Sequence, residues 1–394
     1  MASAVMGTYD RFDVAFERGE GAWLHASDGR RFLDFGGGVA VTALGHCHPH
    51  LVEALTGQAQ RLWHCSNLYR IPGQERLAER LTGLSFADAA FFCNSGAEAI
   101  ECGLKLIRND QQAVVGAGAR YRVITFAGAF HGRTLATIAA GGAEKYLEGF
   151  APKVDGFDQV PLGDLAAVRA AIGPATAGIL VEPVQGEGGI HAAAPEFLRG
   201  LRELADTHGL VLFFDEVQCG IGRTGRLFAY EHSGVRPDVM ALAKGLGGGF
   251  PIGACVATSR VAAAFAPGSH GSTFGGNPLA VAVGNAVLDV VADPDFLARV
   301  RSTGSSLHDR LATLPGRFPG VVAEVRGTGL MLGLRCVVPN RLLVDSLIDG
   351  GLLSIPAGDN VVRLLPPLIV GEEEAAEAFR IIERACAELA AKAA

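Results

Sequence analysis

The sequence predicts an α/β protein whose larger part is built on a mostly parallel sheet, followed by a smaller α+β unit. Three observations lead there. Between about residues 85 and 260, six short runs are apolar throughout with no polar alternation, as in strands buried on both faces. Helical patterns separate these runs, the alternation that accompanies a parallel sheet. After about residue 276 the order changes to an apolar helix, then separated strands, then a closing amphipathic helix.

The chain opens with a short β-rich arm: Gly21–His25, a turn at Ser27-Asp28-Gly29, and Arg31–Phe35. Asp-Gly between apolar runs signals a hairpin. The six buried runs are Ala89–Cys93, Arg122–Phe126, Gly178–Val181, Leu210–Phe214, Val239–Ala243 and Ala254–Ala257. Among the helices between them are Ala97–Arg108, Asp164–Ile172 and Pro195–His208, the last with Pro195 in its first turn and Gly209 after its end. The later unit starts with a helix over Pro278–Val291 and has strands near Gly329–Leu334, Leu352–Ile355 and Val361–Leu364. Its closing helix repeats Ala375, Phe379, Ile382 and Cys386 at helical spacing. These patterns divide the chain into an arm over 1–50 that joins the small domain, a large domain over 51–275 and a small domain over 276–394.

Composition narrows the partners. A net charge of −7 disfavours nucleic acid and anionic membranes, and an apolar fraction of 49% with 19% charged residues suits a soluble globular protein. Met1-Ala2-Ser3-Ala4-Val5-Met6 carries no early Lys or Arg and no long apolar core, so no secretory signal is expected, nor any membrane span. Eight scattered cysteines without a Cys-x-x-Cys pair read as reduced thiols of a cytoplasmic enzyme. His46-Cys47-His48-Pro49-His50 lacks the further ligands that a metal would need and reads as a structured loop.

In open α/β sheets, ligands collect at the carboxyl ends of the strands. Those ends carry Asn94-Ser95-Gly96, Phe130-His131, Glu182, Asp215 and Lys244. Taken singly, each has an ordinary reading. Ser95 is a helix cap, Asp215 a structural carboxylate and Lys244 a solvated lysine before Gly245-Leu246-Gly247-Gly248-Gly249. Together they change meaning. A helix N-terminus with Ser95 and Gly96 can cradle a phosphate, an acid such as Asp215 keeps a pyridine nitrogen protonated, and Lys244 supplies an amine. These are the groups needed to hold and polarise pyridoxal phosphate. Phe130 can stack on the ring, and Arg133 can offer a guanidinium fork to a substrate carboxylate.

The ordered motifs closely resemble class III, fold-type I, pyridoxal 5'-phosphate aminotransferases, in particular the acetylornithine aminotransferase branch, which implies an α/β large domain with a mostly parallel seven-stranded sheet plus a smaller α+β domain. The matching stretches include Asp34–Gly38 with Val39–Pro49, then Asn94–Ala99, Phe130–Arg133, Val181–Gly189 and Phe214–Gly220. Gly222–Gly225, Ala243–Gly249, His270–Pro278 and Arg326–Leu330 follow. The resemblance implies that Lys244 binds the cofactor aldehyde covalently and that Asp215 pairs with the pyridine nitrogen. It implies that Phe130 and Val217 flank the ring, while Gln218 bonds the phenolic oxygen. Ser95, Gly96 and Ala97 would hold the phosphate, helped by Ser272 and Thr273 of the neighbouring subunit, which makes a homodimer with shared active sites. Position 97 is often Thr in relatives, and Ala97 forgoes that hydroxyl contact. Arg133 would take the distal end of either substrate and Arg363 the α-carboxylate of glutamate. Glu187 would neutralise Arg363 when the other donor is bound.

N-acetylornithine with 2-oxoglutarate is the substrate pair this resemblance implies, yielding N-acetylglutamate 5-semialdehyde and glutamate. Succinylornithine shares the same motifs, and N-succinyldiaminopimelate fits the same ω-amine logic. Ornithine δ-aminotransferases tend to carry an aromatic residue where this chain has Val39. 4-Aminobutyrate aminotransferases match less well in flanking sequence. A cofactor-binding scaffold without turnover is the reading from another class, and the retained arginines Arg133 and Arg363 argue against it.

Overall fold

The computed structural model describes residues 4–393, so positions 1–3 of the amino-terminal reading lie outside the described residues. The first sheet is the expected hairpin with a strand on either side. It comprises β1 (Phe16–Glu20), β2 (Trp23–Ala26), β3 (Arg31–Asp34) and, from far along the chain, β15 (Leu352–Leu353), in that order. β15 runs parallel to β3, with Leu352 opposite Leu33 and Leu353 opposite Asp34.

The central sheet has seven strands: β4 (Ala89–Cys93), β5 (Arg122–Phe126), β6 (Phe157–Val160), β7 (Thr176–Val181), β10 (Val211–Asp215), β11 (Val239–Leu242) and β12 (Gly253–Ala257). Their order is β4-β12-β11-β10-β7-β5-β6. β12 is antiparallel to both β11 and β4, while the pairs from β11 through to β6 are parallel. This is the mostly parallel sheet expected from the unbroken apolar runs. Alternate residues of one run serve opposite faces. Phe213 packs in the layer with Ile100, Ile107 and Leu180 from the Gly96–Val115 helix side. Phe214 packs with Leu212, Met240 and Leu201 of the Pro195–His208 helix. Burying a side chain of this size contributes about 1.5–3 kcal/mol, so both faces demand apolar residues. The long helix lies so close to the sheet that a Cβ on Gly103 would sit 2.2 Å from the Phe213 ring.

The sequence runs contained six of these strands and missed β6. It is an edge strand: Phe157 and Val160 are buried, Gln159 is exposed, and Asp158 is engaged by Arg122 at 2.7 and 2.9 Å. A half-polar edge leaves no continuous apolar run.

A small two-stranded unit, β8 (Val184–Gln185) with β9 (His191–Ala192), forms an antiparallel hairpin around Glu187. The last sheet is antiparallel, with β13 (Val322–Thr328), β14 (Met331–Cys336), β17 (Val361–Leu364) and β16 (Ile355–Ala357) in that order. The strand expected over Leu352–Ile355 is two strands in two sheets, and the chain crosses between them at the buried Ser354. The strand expected from Gly329 starts at Met331, because Gly329 forms the turn with φ +56. A Cβ there would lie 2.5 Å from the Thr224 carbonyl carbon.

Candidate active site

The chain ends of five central strands converge. Asn94–Gly96 follows β4, Phe130 and His131 lie in the loop after β5, and Glu182 follows β7. Asp215 closes β10 and Lys244 follows β11. All line one cavity of 340 Å³, together with Ala97, Gly132, Val217 and Gln218. The volume falls within the usual range for a small-ligand site.

Asp215 is buried and its two oxygens are held separately. His131 Nδ1 lies 2.7 Å from Oδ2, and the Val217 N–H donates to Oδ1 at 3.0 Å. An ionised carboxylate only accepts, so Nδ1 carries the proton. Burial opposes a charged His131, but the hydrogen bond to Asp215 and the charges of Asp215 and Glu182 outweigh it and raise the ring's pKa. Its Nε2 is buried without a partner. Burial, reinforced by the Asp215 charge, pushes the Glu182 carboxyl up to about 8, while its Oε2 accepts the Phe130 N–H at 3.1 Å.

Lys244 has φ +46, a left-handed conformation that costs a non-glycine residue about 1 kcal/mol or more. The strain places the lysine at the cavity wall immediately after a buried strand. Burial lowers the basicity of its amine, Asp215 opposes that shift, and Arg363 adds to it. A lowered pKa leaves more of the amine unprotonated near neutral pH, the form that acts as nucleophile and base.

The opposite end of the cavity is the start of the Gly96–Val115 helix. Ser95 is its N-cap, with Oγ accepting the Glu98 N–H at 3.3 Å and donating to Glu98 Oε2 at 3.0 Å. The ordinary capping role of Ser95 is therefore real. The first-turn N–H groups of Gly96 and Ala97 have no intrahelical acceptor and point their dipoles at any anion placed there. A Cβ on Gly96 would lie 2.7 Å from Val217 Cγ1, so the missing side chain lets Val217 reach the cavity.

Arg133, Glu187 and Arg363 do not line this cavity; they gather beside it. Arg363, on β17, is 2% exposed, and its Nη2 meets Glu187 Oε2 at 2.8 Å and the Pro356 carbonyl at 3.2 Å. Its Nη1 approaches Gln218 Oε1, a cavity residue, at 3.4 Å. Burial lowers the Arg363 pKa and Glu187 counteracts it. The Arg133 guanidinium lies 4.0 Å from the centre of the Tyr146 ring and 5.6 Å from that of Phe130. Ser272 and Thr273 do not line the cavity of their own chain. Ser272 Oγ accepts from Asn94 Nδ2 at 3.2 Å, behind the helix start, and Thr273 is exposed.

Three residues gain importance that the sequence did not give them. His131 and Glu182 stood at strand ends, a signal that marked them without specifying a task. Tyr146 carried no signal, because its contacts to Phe130, Arg133 and Glu187 join distant parts of the chain. Two histidines of the histidine-rich segment meet carboxylates, His46 on Asp34 at 2.8 Å and His50 on Asp289 at 2.9 Å. Among the described residues no group of three or more ligating side chains is arranged for a metal.

Pyridoxal 5'-phosphate demands an amine of reduced basicity, a buried carboxylate, apolar walls for a flat ring and donors for a phosphate. Lys244, Asp215, the Phe130 and Val217 side chains, and the start of the Gly96–Val115 helix meet these demands around one cavity. The orphaned first-turn donors, and the Val217 wall that the absent Gly96 side chain admits to the cavity, fit that group.

Comparison with known proteins agrees. Residues 5–386 match the family described as aminotransferase class-III. The acetylornithine aminotransferase of Brucella melitensis biotype 1 is 61% identical over 96% of this chain and 94% of its own. Among solved structures, the ornithine aminotransferase from Toxoplasma gondii ME49 superposes with a TM-score of 0.94 at 32% identity, covering 98% of this chain and 93% of that one. The N-acetylornithine aminotransferase from Stenotrophomonas maltophilia K279a gives 0.85 at 39% identity, covering 98% of both chains. With its matched length, its strand-end residues and its fold in agreement, the chain belongs to the class-III aminotransferases.

Proposed function

We propose that the protein transfers the δ-amine of N-acetylornithine to 2-oxoglutarate, giving N-acetylglutamate 5-semialdehyde and glutamate, a step of arginine biosynthesis. The observation that carries this reading is the Glu187–Arg363 pair beside the Lys244–Asp215 cavity. A donor with one carboxylate and a donor with two must share the site, and a neutralisable buried arginine allows both.

Pyridoxal 5'-phosphate, when bound, supplies the electron sink. Lys244 would hold its aldehyde, Asp215 would face the pyridine nitrogen with His131 fixing the carboxylate, and Phe130 and Val217 would flank the ring. Gln218 would meet the phenolic oxygen, and Ser95, Gly96 and Ala97 the phosphate. The ε-nitrogen of Lys244, when free, takes the proton from the amine-bearing carbon of the donor. Arg133 binds the distal carboxylate of either donor. Glu187 stays on Arg363 for N-acetylornithine and yields it to the α-carboxylate of glutamate.

The same reading makes the working unit a cytoplasmic homodimer, with Ser272 and Thr273 completing the phosphate site of the other copy. Asn67 Nδ2 bonds the carbonyls of Ser272 and Gly275, both at 3.0 Å, and so joins two segments that expose Trp63, Leu68, Tyr69 and Phe274. That apolar surface beside position 272 supports a second copy there. The domain division at 50 and 275 belongs to this reading too, with the arm joined to the small domain through β3 and β15.

The test is kcat/KM for N-acetylornithine, succinylornithine, ornithine and 4-aminobutyrate, each with 2-oxoglutarate. N-acetylornithine is expected to lead, and a preference for free ornithine or 4-aminobutyrate overturns the substrate choice.

A further inference from the structure

The proposed function leaves open how a carboxylate that must leave Arg363 in one half-reaction is kept on it in the other. Glu187 is half-buried, with 28% of its side chain exposed, and sits in the hairpin loop between β8 and β9. Its Oε2 meets Arg363, and its Oε1 receives a hydrogen bond from the Tyr146 hydroxyl at 3.1 Å. The two oxygens are thus held from two sides. The Tyr146 ring is itself clamped: Arg133 lies over it at 4.0 Å, Lys145 at 4.6 Å, and Phe130 meets it edge-on at 5.7 Å. Tyr146 sits in a short helix, Glu144–Leu147, 41 residues before Glu187.

We propose that Tyr146 is a positioning residue for dual substrate specificity: its hydroxyl latches Glu187 onto Arg363, and its ring is the platform that aims Arg133. The proposal rests on the functional reading above and deepens it. One side chain touches the groups assigned to both ends of the substrate. The hydroxyl matters where Glu187 must stay, with the monocarboxylate donor. It opposes glutamate, whose α-carboxylate must displace Glu187. The ring matters for both donors, because both place a carboxylate on Arg133. A guanidinium over an aromatic face is attracted by the ring's negative face, which restricts where it points.

Two substitutions separate these tasks. Tyr146→Phe keeps the ring and removes the latch. A hydrogen bond to a charged group is worth roughly tenfold in an equilibrium constant. With the holoenzyme in single-turnover mixing, the N-acetylornithine half-reaction is therefore expected to slow about fivefold to tenfold in kcat/KM, with glutamate unchanged or faster. Calorimetric binding of glutarate, a dicarboxylate without an amine, is expected to tighten about threefold to tenfold, since Glu187 is easier to displace. Tyr146→Leu is expected to raise KM for both donors. The decisive arm is the pair of backgrounds: in Glu187→Ala protein, adding Tyr146→Phe should leave glutarate affinity unchanged within twofold, because the hydroxyl acts only through Glu187.

Equal losses for both donors in Tyr146→Phe, or an undiminished glutarate effect of Tyr146→Phe in the Glu187→Ala background, overturn the latch. If wild-type protein reacts with glutamate but not with N-acetylornithine, the functional reading fails instead, and the glutarate titrations still decide the latch.

Discussion

Arg363 is 2% exposed, and replacing Glu187 with alanine leaves its guanidinium only the Pro356 carbonyl at 3.2 Å and Gln218 Oε1 at 3.4 Å. Its Nε already has no partner. Removing one member of a fully buried pair costs about 3–5 kcal/mol. Glu187 keeps 28% of its side-chain exposure, so water screens part of that interaction, and about 1.5–3 kcal/mol is the better expectation. The cost falls unevenly. With N-acetylornithine bound, nothing replaces the lost carboxylate and the substrate shuts water out. With glutamate, the α-carboxylate takes the vacant place without displacing anything. The ratio of kcat/KM for N-acetylornithine to that for glutamate should therefore drop about 10- to 150-fold. Rapid-mixing absorbance of the holoenzyme measures the two half-reactions separately. Equal losses on both sides would refute the exchange at Arg363.

Other substitutions probe the cofactor cavity and its electrostatics. His131→Phe removes the 2.7 Å contact on Asp215 Oδ2, and equilibrium titration should show pyridoxal phosphate affinity weakened about tenfold; unchanged affinity would mean Asp215 needs no such support. Gly96→Ala puts a Cβ 2.7 Å from Val217 Cγ1, and the displaced side chain should cost about 1–3 kcal/mol in cofactor binding or folding, read by titration and thermal melts. Glu182, with its carboxyl pushed up to about 8 by burial and Asp215, holds its proton more tightly folded than unfolded. Its stabilising contribution is therefore full below the ordinary carboxyl range and is lost as pH rises through about 8. The cofactor-free protein should lose Tm across that window, and Glu182→Gln should flatten the loss; parallel curves for the two proteins would contradict the assignment.

The legible parts of the sequence were those fixed by local pattern. Runs such as Leu210–Phe214 announced strands because both faces of the sheet are dry, and polar residues that follow them, such as Asn94, Glu182, Asp215 and Lys244, marked the site, since central strands deliver their next residue to the sheet's edge. What stayed hidden depends on contacts across the chain. β6 needed only half an apolar face, and the crossing at Ser354 has no local mark because its two neighbours pair in opposite directions, Leu353 with Asp34 of β3, hundreds of residues back, and Ile355 with Arg363 of β17, a few residues on. Tyr146 is invisible for the same reason. An aromatic residue beside Lys145 says nothing until Arg133 and Glu187 are brought to it.

Borohydride reduction of the holoenzyme followed by peptide mapping tests the central claim most directly. The account predicts a pyridoxyl label on the ε-nitrogen of Lys244, abolished in Lys244→Ala. Label on another lysine, or no label in protein that binds the cofactor, would contradict it.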